Sequence, residues 1–278
     1  MSESLTEERP TGPRDLADWL LARGRHWVTT GEAAALLGIP EAHVSPTMAR
    51  WQRQGRLFSP TKGLYVAIPP EFRLWRAVPA THFIDPLMRH LGHPYYVCRL
   101  SAAEVHGYAH QRPQVFQVMT TARLRDRAFG RVRIEFSTSR HADARPVVEV
   151  NTPTGSMRVS THETTVLDLV ARPDESGALS NVATIIGEML DDGELDIDQL
   201  VTVADGYPAS IAQRSGWLLD FMADYVGTQV DTDALHHAVS ASASVSGAAV
   251  LLDPSGPRVG PVDERWNVIV NEDPQPES

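Results

Sequence analysis

The sequence predicts an α+β protein: an N-terminal winged helix-turn-helix followed by a larger mixed α/β domain. Three observations carry that reading. Between Trp27 and Ile68 the segment VTTGEAAALLGIPEAHVSPTMARWQRQGRLFSPTKGLYVAI runs through a helix cap, a short apolar helix, a Gly-Ile-Pro turn, a basic helix and a two-stranded ribbon. That order of parts belongs to a unit that docks on duplex DNA. Beyond it, strand-like alternation is interleaved with helical periodicity. Charge is also unevenly distributed: residues 1–150 hold twenty Lys/Arg against fourteen Asp/Glu, and the remainder holds five against twenty-one, within a net charge of −10. The asymmetry reads as a nucleic-acid-facing half and an acidic half with another task, or as acid that keeps the protein soluble.

The elements follow in order. Residues 1–12 read as disordered. Residues 13–24 form a short helix with Leu16, Trp19 and Leu20 on one face. Thr30, with Thr29 competing, caps a helix that runs to Leu37 with Ala33, Leu36 and Leu37 inward, and Gly38-Ile39-Pro40 stops it. Ser45-Pro46 starts the next helix, serine as cap and proline at the first helical position, and Gly55 ends it. On it Val44, Met48 and Trp51 share the core face. Two β-prone runs around Ser-Pro-Thr-Lys-Gly make the wing. The winged unit spans 13–75 and the second domain 76–271. In the latter a helix falls at 86–91, an extended run at 95–99, a helix at 101–108, and strands at 114–120 and 132–137 joined by the link ARLRDRAFGR. A hairpin at 147–150 and 156–159 follows, then a helix from Thr161 or Thr164 to Ala171. Helices at about 181–191, 196–204 and 209–226 and strands at 248–252 and 266–270 complete the domain. The tail, 272–278, reads as disordered.

The candidate DNA contacts lie opposite the Val44–Met48–Trp51 seam. Ala49 is small enough to let the helix sit deep in a groove, and Arg50 and Arg53 reach base edges or phosphates. Ser45, Thr47 and Gln54 stand at the margins, and Arg56 and Lys62 at the base and tip of the wing contact backbone phosphates. All but one of the basic residues are Arg, which suits forked contacts to phosphate and guanine and equally reflects a GC-rich genome. A second basic cluster, Arg123, Arg125, Arg127, Arg131 and Arg133, reads either as additional nucleic-acid contact or as a solvated loop.

Other chemistries fare worse. Seven of the eleven histidines lie between His82 and His162. His106 and His110, near Glu104, have zinc-ligand spacing, but Gly107 interrupts the helix, and capped, partly buried histidines are the favoured reading. His162-Glu163 opens like HExxH but lacks the second histidine, so Glu163 reads as an early-helix carboxylate. The acidic run Asp191, Asp192, Glu194, Asp196 and Asp198 lacks EF-hand spacing and reads as a solvated turn. GxSxG, P-loop and GxGxxG motifs are absent. Cys98, the only cysteine, excludes an internal disulfide and a thiolate zinc site and suits a reducing cytoplasm. No apolar run approaches the ~20 residues of a membrane helix, and the polar MSESLTEERP start is not a signal peptide. No catalytic residue, metal or cofactor is expected.

From Tyr95 onward four phrases occur in sequence: YYVCRLSAAEVHGY at 95–108, VSTHETTVLDLV at 159–170, QRSGWLLDFM at 213–222 and RWNVIVN at 265–271. With the winged helix in front, the chain resembles the AbiEi-type antitoxins of type IV toxin–antitoxin (abortive infection) systems over nearly all of 14–271. The resemblance implies a transcriptional autorepressor whose N-terminal domain binds inverted repeats in its own operator. It implies a C-terminal domain that neutralises a cognate nucleotidyltransferase toxin encoded nearby, and a monomer that loads cooperatively on two half-sites. It assigns DNA contact to Arg50, Arg53 and Lys62. The chain departs from the family in carrying only Arg50, Arg53, Arg56 and Lys62 along the recognition helix and wing, which implies modest affinity for a single half-site. Two other readings stand beside it: a transcription factor whose second domain senses a ligand or dimerises, and a metal-dependent nuclease using the central histidines.

Overall fold

The computed structural model describes residues 9–109, 113–241 and 247–277. Its first unit comprises α1 (Leu16–Ala22), β1 (Trp27–Thr29), α2 (Thr30–Leu37), α3 (Glu41–Arg53), β2 (Leu57–Thr61) and β3 (Leu64–Ala67). Of the two competing threonines, Thr29 is the cap of α2. Its hydroxyl accepts from Glu32 N, and Glu32 reaches back to Thr29 N at 2.8 Å, a reciprocal capping box. Gly38, at φ 64°, closes α2 in the left-handed region.

The start of α3 corrects the sequence expectation. The helix begins at Glu41, directly after Pro40, so Ser45 caps nothing and Pro46 lies inside the helix. Pro40 already ends the preceding turn in extended geometry, so the chain has no need to wait for Ser45. Pro46 lacks the N–H that would reach back to Ala42, a loss tolerated on an exposed face near the helix start.

β1, β3 and β2 pair antiparallel in that order. One side of this small sheet closes the first core, where Leu16, Leu20, Val28, Ala33, Val44, Met48, Leu57 and Tyr65 meet. The other side does not face water. Phe58, Leu64, Val66 and Ile68 belong to a second apolar cluster with Phe83, Ile84, Leu87, Met88, Val97 and Val118. β3 is buried at every position for that reason, and its apolar run does not alternate. The division expected at 75/76 is thus bridged by a shared core.

The second unit contains α4 (Ile84–Leu91), β4 (Tyr95–Val97), α5 (Arg99–His106), β5 (Phe116–Thr120), β6 (Arg127–Phe129), β7 (Val132–Thr138), β8 (Val147–Thr152), β9 (Gly155–Ser160), α6 (His162–Ala171), α7 (Ala178–Asp191), α8 (Ile197–Ala204), α9 (Ala209–Val226), α10 (Asp233–Ala241), β10 (Val250–Leu251), β11 (Val262–Asp263) and β12 (Val268–Ile269). The main sheet has the order β6-β7-β5-β4-β9-β8; β5/β7 and β4/β9 run parallel and the other pairs antiparallel. Thr161, not Thr164, caps α6. A third core joins α6, α7 and α9 through Val166, Leu169, Ile185, Ile186, Leu218 and Met222, and takes in Trp266 beside the small sheet β10-β12-β11.

The tail also departs from expectation. Gln275 N donates to Ser180 Oγ (2.9 Å) and Glu277 N to Thr184 Oγ1 (3.0 Å), so residues 272–277 run along the i, i+4 hydroxyl ridge of α7, with Pro274 buried. Of the N-terminal stretch expected to be disordered, residues 1–8 lie outside the described residues; Thr11 donates to Asp15 (2.5 Å) ahead of α1.

Candidate nucleic-acid interface

Val44 and Met48 are fully buried and fix the rotation of α3. That rotation leaves Ser45, Arg50, Arg53 and Gln54 exposed and Thr47 and Ala49 half-buried. Arg50 and Arg53 form no ion pair with any described residue; the Arg50 guanidinium lies 5.4 Å over the Trp51 ring. Both sit in the last turn of α3, where the helix dipole favours cations.

The ribbon is held on two sides. Thr30 N donates to Gly63 O (2.9 Å) from the start of α2, and His90 Nε2 on α4 donates to Lys62 O (3.0 Å). The Lys62 side chain remains exposed at the tip. Arg56 does not: it donates to Asp18 (2.7 Å) and to Arg14 O (3.3 Å), tying the base of β2 to α1. Its expected role as a phosphate contact gives way to an internal brace.

The arginine-rich link divides in the same way. It is not a simple loop, because its second half is β6, paired with β7. Arg127 is half-buried and donates to Pro60 O in the ribbon, and burial lowers its pKa. The possible nucleic-acid contact is therefore a strut between the two units. Phe129 reinforces it, packing against Phe58 (5.4 Å) and Phe83 (5.9 Å), with Phe58 edge-on to Phe83 at 5.1 Å. Arg123 and Arg125, in the segment leading to β6, are exposed, as are Arg131 in the β6–β7 turn and Arg133 in β7.

Sequence reasoning missed a polar centre on the other side of the main sheet. Asp168 is 3% exposed and accepts from Tyr96 Oη (3.0 Å) and Tyr207 Oη (2.8 Å). Arg145 lies 3.2 Å over the Tyr207 ring and donates to Gly206 O (2.7 Å). Arg99, buried and at φ 50°, donates to Ser137 Oγ (2.9 Å) and pairs with Glu175. Burial pushes the Asp168 carboxyl up, against the pull of the tyrosines and arginines, and pushes both tyrosines up as well. The signal was present in VLDLV: a carboxylate, Asp168, set among apolar residues in the middle of a helix.

His106 Nε2 donates to Ser160 O (2.7 Å), and its ring lies 4.2 Å from that of His162. Desolvation holds the His106 imidazole below its ordinary range. His110 lies outside the described residues. Among the described residues no three His, Cys, Asp or Glu side chains converge to hold a metal. Glu163 is buried and accepts from Asp196 N (3.2 Å), anchoring the acidic turn, where Asp196 caps α8 through Gln199 N. Cys98 is fully buried and its thiol pKa is raised by burial, the setting of an inert thiol.

Fold and geometry together define a two-part α+β protein: a small helical unit with unpaired arginines on α3, fused through a shared core to a mixed sheet backed by helices. The same fold occurs in the crystal structure of the RV2827C protein from Mycobacterium tuberculosis, with a TM-score of 0.67 at 15% identity, over 94% of this chain and 92% of that one. Residues 95–221, within this second unit, match the family model of the AbiEi antitoxin C-terminal domain. No curated protein matches it. The family carries an antitoxin role in a toxin–antitoxin system, and with it a toxin as partner. Among the described residues no helix is long and apolar enough to cross a membrane.

Proposed function

We propose that this antitoxin represses its own operon by laying α3 of a winged helix-turn-helix in the major groove of operator inverted repeats, and that its second unit neutralises a nucleotidyltransferase toxin encoded nearby. It acts as a cytoplasmic binding protein rather than an enzyme. The observation that carries the DNA reading is the outward, unpaired pair Arg50 and Arg53, held opposite the buried Val44 and Met48. Lys62 adds a phosphate contact at the ribbon tip. Arg123 and Arg125 lengthen the footprint on the side where Arg127 grips the ribbon. Ser45, Thr47, Ala49 and Gln54 line the approach of α3 to the bases. The protein is a monomer in solution and binds two half-sites cooperatively.

The double variant Arg50→Ala, Arg53→Ala tests this reading. Removing one bidentate arginine–base pairing costs about 1–3 kcal/mol, so a gel shift on the operator should weaken by tens-fold or more while the melting temperature is unchanged. Lys62→Ala should weaken all duplexes alike and lower the slope of log K against log salt by about 0.9. An unaltered gel shift in the double variant defeats the placement of α3. Co-expression with the adjacent gene, scored as growth rescue, tests neutralisation. A neighbouring gene from an unrelated pathway would favour a ligand-sensing transcription factor instead.

A further inference from the structure

The segment joining the two units forms one side of a groove of about 480 Å³, lined by Trp75 from that segment, Arg131 from the β6–β7 turn, Arg133 from β7, Gln114 ahead of β5 and Phe116 at its start. That volume lies within the ~300–1,000 Å³ typical of small-molecule sites. The two sides are locked together at Gly130 (φ 55°), where a Cβ would stand 1.8 Å from Trp75 O. The groove therefore has a fixed width at that point. Phe72 packs against the Trp75 ring at 5.6 Å and steadies it.

Arg131 and Arg133 are exposed and have no ion-pair or hydrogen-bond partner among the described residues. Both belong to one hairpin, Arg131 in the turn between β6 and β7 and Arg133 in β7, and both line the groove. Two bare guanidiniums so placed repel each other and are relieved by a multiply charged anion, whose oxygens fit their forked donors. Glu104 is the one carboxylate on the lining and already has a partner. A flat indole next to paired guanidiniums offers a base a stacking face alongside its phosphates.

We propose that this groove binds a nucleoside triphosphate, its phosphates on Arg131 and Arg133 and its base against Trp75. The assignment is independent of DNA recognition by α3. The full chain is titrated with fluorescently labelled ATP and GTP at physiological salt, read by anisotropy, with unlabelled ATP, inorganic triphosphate and a short single-stranded oligonucleotide as competitors. Saturable binding is expected, weakened at least tenfold in Arg131→Ala, Arg133→Ala, with ATP competing better than triphosphate. Trp75→Phe should keep most of the affinity and Trp75→Leu lose it; melting curves identify any variant that fails to fold, and the arginine pair carries the test by itself in that case. The proposal is overturned by no saturation at millimolar nucleotide, by equal affinity in the arginine variant, by triphosphate competing as well as ATP, or by the oligonucleotide alone binding with the same arginine dependence.

Discussion

Asp168 holds two tyrosine hydroxyls from different parts of the chain, Tyr96 on β4 and Tyr207 between α8 and α9. Removing the carboxylate leaves both hydroxyls buried without that acceptor, at about 1–3 kcal/mol each. Asp168→Ala should therefore lower stability in urea by several times the effect of Tyr207→Phe, which removes one bond and leaves the acid paired to Tyr96. His106 gives a pH dependence. Desolvation lowers its pKa from the ordinary 6.5, so as pH falls the unfolded chain takes up the proton first and stability drops. His82 and His26, also lowered by burial, act in the same sense. The melting temperature should decline between pH 7.5 and 5.5, and His106→Gln should make that decline shallower. At this scale the sequence showed the outward arginines plainly, because the spacing of Val44 and Met48 fixes the helix rotation. It did not show that Arg56 and Arg127 are committed internally, since their partners, Asp18 and the Pro60 carbonyl, are distant in sequence.

Helices with strong periodicity and clear stops, α2, α6 and α9, were legible in the sequence. Those that depend on context were less so. Ser45-Pro46 is a good helix start by local chemistry, yet α3 starts at Glu41 because Pro40 has already turned the chain. α10 escaped notice because only Leu235 and Val239 of its nine residues are buried; β6 and β11, at three and two residues, are too short for alternation to register. The interior proline gives a prediction. Pro46→Ala restores a backbone donor and removes the ring, a gain of up to about 3 kcal/mol, reduced by the greater freedom of the unfolded chain. A higher melting temperature is expected; a lower one would place the true helix start at Ser45. Gly130→Ala should do the reverse, since its methyl would meet the Trp75 carbonyl. Its cost should exceed that of Gly24→Ala, which has a similar φ but open space, in the same urea titration.

Across the whole molecule, the apolar cluster that joins Phe58, Leu64, Val66 and Ile68 to Phe83, Leu87 and Val97 makes the two units thermodynamically interdependent. A single calorimetric transition is expected for the intact chain. Separate pieces 1–75 and 76–278 should each bind a hydrophobic dye and melt at lower temperature, and two well-separated transitions in the full chain would refute the coupling. The aromatic contact of Phe58 with Phe83 and Phe129 was beyond sequence reading, because the ribbon looks complete once its first core is counted.

A ribbon upholstered on both sides has no swivel. The bearing of the arginine-carrying rod relative to the bulky rear of the protein is then a constant of the molecule, set by ring packing and not by a tether. Under the operator binding we propose, two copies seated on neighbouring inverted repeats must accommodate the girth of their rear bodies, so the permissible distance between repeats is narrow. Inserting half a helical turn between them should abolish joint occupancy while each repeat still captures a lone copy.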